Sequence, residues 1–290
     1  MTKLVAQTFK APGQWQGPPP GLGDFIRGAC HLFEHLEGTG VEFRLDVSQS
    51  GFAGLIKQDP AVFHAGAPDA IASAGEHFED DAVLLRELDA LARAGEGVLH
   101  VCSNMGAWHR RQLPEHTRNF VSRFYAFVPE IEDAVTEATG GRDYRVLSVR
   151  CGDRFFDEPS ARVDAATEST VCRIIERHVL PGNHAPVVVI SDCDTLRESL
   201  RARYGFTAMP YRSRHGANGG ADAVAHDLCL LKRSSANVHI NAWSDWWSGF
   251  SHYTSMLFSV PSVNFRAPRF EREEVTGAEP RPAWRWRPGG

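Results

Sequence analysis

The chain has 290 residues, 42% apolar and 23% charged, enough hydrophobic content for two α/β lobes with ordinary cores. A formal net charge of -5, with no long run of lysine or arginine, gives no basic field for nucleic acid, and no window approaches a membrane-spanning apolar stretch. The six cysteines form no C-x-x-C pair and the opening MTKLVAQTFK lacks the pattern of a signal peptide, so a cytoplasmic protein is expected.

Leu4 to Phe9 is a short apolar run, followed by a loop dense in glycine and proline, APGQWQGPPPGLGD. Phe25, Ile26, Ala29, Leu32, Phe33 and Leu36 then recur at helical spacing, and Val41, Phe43, Leu45 and Val47 alternate as in a strand. Strand, Gly-rich loop, helix and strand make a βαβ unit with parallel pairing. The pattern continues with a helix over 80–93, a strand over 97–102 and one or two helices over 117–139 around Pro129. A strand over 145–150 and a helix over 161–179 come next. Val187 to Ile190 is a continuous apolar run, as in a strand buried on both faces. Helices over 194–203, 222–233 and 249–258 and strands over 236–241 and 261–265 complete the series. The fold class predicted is α/β, two Rossmann-like lobes with parallel sheets. Gly140-Gly141 divides them, giving lobes over 1–140 and 141–270 and an irregular tail over 271–290.

Four stations carry residues suited to an anionic ligand. The first is Gly21-Leu22-Gly23-Asp24 with Arg27 one turn on, where glycines admit a ligand to a helix start and Asp24 can cap it. The second is Arg150-Cys151-Gly152-Asp153 at a strand end, the edge where open parallel sheets bind ligands. The guanidinium fork of Arg150 suits a diphosphate, and an Arg150–Asp153 ion pair holding a turn is the structural alternative. The third is Ser191-Asp192-Cys193-Asp194 after the apolar strand. The bland reading is a helix cap, and two lesser readings compete: the metal site of a metal-dependent glycosyltransferase and the loop of a Mg²⁺-dependent phosphatase built on Asp192 and Asp194. The fourth runs from Asp227, in an otherwise apolar helix, to Ser248-Gly249-Phe250-Ser251-His252 at a later helix start. Trp243, Trp246 and Trp247 precede it as stacking faces for sugar rings.

In order, the stations GLGD, SVRCGD, VVVISDCD and HDLCLLKRS with SGFSHYTSMLFSVP resemble those of the fucosyltransferase superfamily that uses GDP-fucose. That superfamily includes the α-1,2 and α-1,6 enzymes, the rhizobial nodulation fucosyltransferases and the protein O-fucosyltransferases. Its stations are an early G-x-G-[ND] loop, H-x-R-R-G-D at a strand end, a later S-D-D-like strand end, and a closing D…L…S-x-F-S segment. The resemblance spans about residues 4 to 265 and implies a GT-B-like arrangement, with an acceptor-side N-terminal lobe and a nucleotide-sugar lobe after it.

It further implies an inverting glycosyltransferase that needs no metal or other cofactor and takes a nucleotide sugar, GDP-fucose by analogy, to a glycan, lipid-linked or protein acceptor. Arg150 matches the arginine that holds the pyrophosphate, with Gly21, Gly23, Arg27, Asp153 and Asp192 around the donor. Asp227 matches an acidic residue near the base, and Ser248, Gly249, Phe250 and Ser251 match the phosphate-bearing helix start. Asp24 is the first candidate for the acceptor base and His252 the second. Two positions depart from the pattern. Ser148 stands where the family has a base-contacting histidine, and Cys151 replaces the second arginine, a loss on the order of 2–3 kcal/mol of hold on a phosphate. A sugar-nucleotide or glycan-binding protein without turnover is the alternative these departures raise.

Overall fold

The computed structural model describes residues 3–9, 21–66, 72–73, 86, 90, 97–103, 112–152, 154–158, 160–211, 220–243, 248–266 and 271–275. Two sheets organise them. The first has the order β2-β1-β4-β3, all parallel, from β1 (Lys3–Thr8), β2 (Glu42–Asp46), β3 (Ala72–Ser73) and β4 (Gly97–Cys102). The second has the order β6-β5-β7-β8-β9, from β5 (Arg145–Arg150), β6 (Val187–Ser191), β7 (Ala236–Asn241), β8 (Ser262–Arg266) and β9 (Glu271–Val275). Only β9 runs antiparallel. Seven helices longer than one turn lie among the described residues: α1 (Leu22–His35), α2 (Glu115–Val121), α3 (Pro129–Thr139), α4 (Ala165–Ile174), α5 (Asp194–Tyr204), α6 (Ala221–Arg233) and α7 (Gly249–Phe258). None is long and apolar enough to cross a membrane.

The α/β class with two parallel sheets follows the sequence pattern closely. Around Pro129 there are two helices, α2 and α3, because proline at the first helical position starts a new helix rather than continuing an old one. The helix expected over 161–179 is α4 followed by a π-turn at Ile175–Val179. The tail expected to be irregular contributes β9, which pairs antiparallel with β8 at the end of the second sheet. The helix expected over 80–93 falls almost wholly outside the described residues.

The strands sort between the sheets at Gly140, but the packing does not stop there. One hydrophobic cluster joins Val5, Ile26, Phe43 and Val101 of the first half to Val146, Val188, Leu228, Leu231, Tyr253 and Met256 of the second. A second cluster fills the far face of the second sheet with Leu147, Val149, Val189, Val238 and Ile240. Alternating residues of β5 and β6 thus serve two cores, which explains their unbroken apolar runs. Helices α6 and α7, although they belong to the second half of the chain, pack on α3 and α1. Phe25 fixes α1 beneath β1 through an edge-on contact with Phe9, ring centroids 5.4 Å apart.

Candidate functional site

The carboxyl ends of β5 and β6 meet at an ion pair. Arg150 Nη1 donates to Asp192 Oδ2 at 2.5 Å, and the same carboxylate accepts the backbone N–H groups of Cys151 at 2.6 Å and Gly152 at 2.8 Å. The Arg150 side chain is 26% exposed and that of Asp192 only 4%, so the buried carboxylate anchors a partly exposed guanidinium. Burial pushes the Asp192 carboxyl up, opposed by Arg150 and the two N–H groups. Arg150 is thus paired with Asp192, the residue just past the end of the neighbouring strand, and Asp153 lies outside the described residues. Cys151 follows Arg150 by one residue, so its thiol turns the other way, into the second core.

Helix α1 begins at Gly21 and α7 at Ser248, and the two starts are pressed together. A Cβ on Gly23 would stand 2.3 Å from the backbone nitrogen of Phe250 and 2.7 Å from the carbonyl carbon of Gly249. The close approach that Gly23 permits is therefore between helices. Two helix N-termini side by side focus positive potential on one spot. Asp24 pairs with the buried Arg27 at 3.3 Å within α1. Beyond β7, Ala242 donates its N–H to the Arg150 carbonyl at 2.8 Å. The 58% exposed Trp243 covers Gly152, where a Cβ would come within 2.9 Å of the indole. Trp246 and Trp247 lie outside the described residues.

Under α7 the sheet face is polar. Asn237 and His239 on β7, Asn264 on β8, and Ser251 and His252 on α7 are all buried. The Ser251 hydroxyl and His239 Nε2 have no hydrogen-bond partner among the described residues. His239 stands beside Ser148 in the β5–β7 register, its Nδ1 3.3 Å from the Ser148 hydroxyl. An imidazole is therefore present where the sequence resemblance leads one to expect it, one strand over. Burial, with His252 and Arg150 nearby, pushes His239 down to about 3, so the ring is neutral and can address an uncharged ligand edge.

Asp227 lies beside Tyr211, whose hydroxyl donates to Asp227 Oδ1 at 2.5 Å. Burial pushes Asp227 up to about 7, against the pull of Tyr211 and Arg197. Arg197 in turn pairs with Asp194 at 3.0 Å, which links Asp227 to the end of β6. A raised carboxyl pKa means the folded state holds a proton that the unfolded state has lost, so stability falls as pH rises from about 4 to about 7. Asp227→Asn is expected to flatten that slope, gaining on the order of 2 kcal/mol relative to wild type above pH 7 and nothing near pH 3. Urea unfolding at pH 4 and pH 8 reads this directly, and an unchanged slope would mean Asp227 is ionised throughout.

The carboxylates proposed for a phosphatase are engaged elsewhere: Asp192 with Arg150 and two N–H groups, Asp194 with Arg197. They do not form a shared donor set, and no group of three metal-binding side chains occurs among the described residues. Each of the two carboxylates on which the metal reading rests is thus engaged in an ion pair in this structure.

No protein-family model and no curated protein sequence matches the chain. Solved structures do. NodZ α-1,6-fucosyltransferase soaked with GDP-fucose superposes over 95% of this chain and 99% of its own, with TM-score 0.57 and 16% identity. Fucosyltransferase NodZ from Bradyrhizobium matches over 91% and 96%, with TM-score 0.55 and 16% identity. A mutant of Arabidopsis thaliana FUT1 in complex with GDP matches over 92% and 71%, with TM-score 0.59 and 12% identity.

The fold is that of the fucosyltransferases.

Within this fucosyltransferase fold one further cluster escapes the sequence reading. At the carboxyl side of the first sheet, His100 Nδ1 lies 3.6 Å from Oδ2 of the fully buried Asp46 and 3.2 Å from the Thr8 hydroxyl, with His64 alongside at 5.3 Å between rings. These residues are far apart in the chain and meet only because β2, β1 and β4 are neighbours. No local motif signals them.

Proposed function

We propose that the protein is an inverting glycosyltransferase that transfers a sugar, fucose from GDP-fucose, to a glycan, lipid-linked or protein acceptor. The observation that carries this reading is Arg150 held at a strand end by Asp192, with the starts of α1 and α7 pressed together, in a fold shared with a GDP-fucose-soaked transferase. In that mechanism the acceptor oxygen attacks the sugar carbon from the face opposite the diphosphate, and the C–O bond to GDP breaks. Arg150 and the N–H groups around Gly23, Ser248, Gly249, Phe250 and Ser251 stabilise the charge developing on the diphosphate, so no metal is required. Asp192 holds Arg150 in place, Arg27 braces the α1 start through Asp24, Asp227 lies toward the base, and Trp243 offers a stacking face. Asp153 belongs to the same strand-end segment by sequence.

Thermal unfolding against GDP, UDP, ADP, CMP and inorganic phosphate, with and without EDTA, tests the donor. GDP at roughly 100 times its Kd is expected to add about 2.7 kcal/mol of stability, unaffected by chelation. A preference for UDP or ADP changes the donor, and no shift with any nucleotide overturns the reading. The replacements at Ser148 and Cys151 favour one alternative, a sugar-nucleotide-binding protein without turnover. That protein would show the GDP shift and release no GDP from GDP-fucose under any acceptor.

A further inference from the structure

We propose that His100, oriented by Asp46, is the general base that accepts the proton of the acceptor hydroxyl. The inference rests on the transferase reading and supplies a base for it, since Asp24 is paired with Arg27 and His252 is buried on the inner face of α7. The surrounding acceptors favour one tautomer. Thr8 donates its hydroxyl proton to the Ala6 carbonyl at 3.2 Å, so its oxygen is free to accept from His100 Nδ1–H at 3.2 Å. Asp46 stands behind the same nitrogen. Its Oδ1 accepts the Ser48 N–H at 2.9 Å, and its Oδ2, with no hydrogen bond among the described residues, lies 3.6 Å from His100 Nδ1. The nearby carboxylate favours a proton on Nδ1, the tautomer in which Nε2 keeps its lone pair for an incoming hydroxyl. Gly66 leaves room at that ring edge: a Cβ there would sit 2.6 Å from His64 Nε2 and 3.1 Å from His100 Cε1.

Placement fits the role. Thr8 and Asp46 end β1 and β2, at the carboxyl edge of the first sheet, and the turn after Asp46 reaches the second half, where a Cβ on Gly51 would touch Ala221 at 2.9 Å. In the step, the acceptor O–H proton passes to His100 Nε2 as the oxygen bonds to the sugar carbon, and the electron pair of the breaking C–O bond leaves with GDP. The imidazolium so formed is stabilised by the buried Asp46 carboxylate and then returns its proton to water. Burial, opposed by Asp46 and aided by His64, holds His100 below its ordinary value, so it is an unprotonated base at neutral pH. Glu42 and Arg44, on the same face of β2, pair with each other.

The test measures GDP release from GDP-fucose, with water as acceptor, from pH 5 to 8 in wild type, His100→Gln and Asp46→Asn, beside the GDP-induced thermal shift of each. Wild type is expected to lose activity on the acid side with a midpoint below 6.5. His100→Gln is expected to fall about a hundredfold and lose that acid limb, and Asp46→Asn to move the limb, all with the GDP shift retained. A His100→Gln enzyme with wild-type rate and limb overturns the assignment alone. Should that variant not fold, a wild-type profile flat from pH 5 to 7 overturns it equally. Absence of both GDP shift and GDP release in wild type overturns the transferase reading, and the base with it.

Discussion

Arg150→Met is expected to lower transfer by about two to three orders of magnitude, the loss seen when one preorganised donor to a developing negative charge is removed. The side chain is held by Asp192, whose carboxylate is itself fixed by two backbone N–H groups. A guanidinium fixed in this way needs no reorganisation when charge develops on the leaving diphosphate. The same substitution also strips the buried Asp192 of its cation. Breaking a buried pair by deleting one partner costs about 3–5 kcal/mol, and the 26% exposure of Arg150 moves the expectation toward the lower end.

Stability and catalysis therefore have to be separated. Arg150→Met combined with Asp192→Asn removes both charges, and the carbonyl of the new side-chain amide can still accept one of the two N–H groups. That double variant is expected to regain most of the lost stability in denaturant titration and none of the turnover. Recovered turnover in the double variant would make Arg150 a structural partner of Asp192 and nothing more. Wild-type turnover in Arg150→Met alone would sink the donor-site assignment. Arg150→Lys belongs between them, since it keeps the charge but loses the two-pronged geometry.

The sequence was informative where chemistry follows the strand period. Apolar runs ending in Arg150, Ser191 and Asn241 place polar residues at the carboxyl edge of a parallel sheet, and the register sets those three strands side by side. It was misleading where the nearest residue in the chain is not the nearest in space. Arg150 finds a partner in Asp192, 42 residues away and just past the end of β6. Gly23 invites a ligand, yet the neighbour it admits is the backbone of α7. His100 and Asp46 were invisible for the same reason: neither lies in a motif, and only the strand order β2-β1-β4 brings them together. Local pattern reports which face a residue takes, and the strand order decides what it faces.

Gly28→Ala is expected to destabilise the protein by about 3–5 kcal/mol, with no change in any group that would touch a nucleotide. A Cβ at that position would stand 1.9 Å from the Ser103 carbonyl oxygen and 2.6 Å from its carbon, both backbone atoms that cannot rotate aside. Separation would also break the clamp formed by Gln7, whose amide donates to Ser103 O at 2.6 Å and accepts the Ser103 N–H at 3.2 Å. The clamp ties the end of β4 to β1, and α1 lies against it. Gly23→Ala meets a comparable obstruction at the other contact, where α1 touches the α7 backbone. The two variants are expected to lose similar stability and to differ in binding. Gly23→Ala separates the paired helix starts and weakens the GDP-induced shift, whereas Gly28→Ala leaves those starts in contact and the shift intact. Gly54→Ala, with nothing within 4 Å of the added methyl, is the control and should unfold with wild type in denaturant. A Gly28→Ala protein that unfolded with the control would show that α1 can slide along β4 without cost. The contact between helix starts would then be adjustable as well, and the fixed spacing on which the anion site depends would be lost.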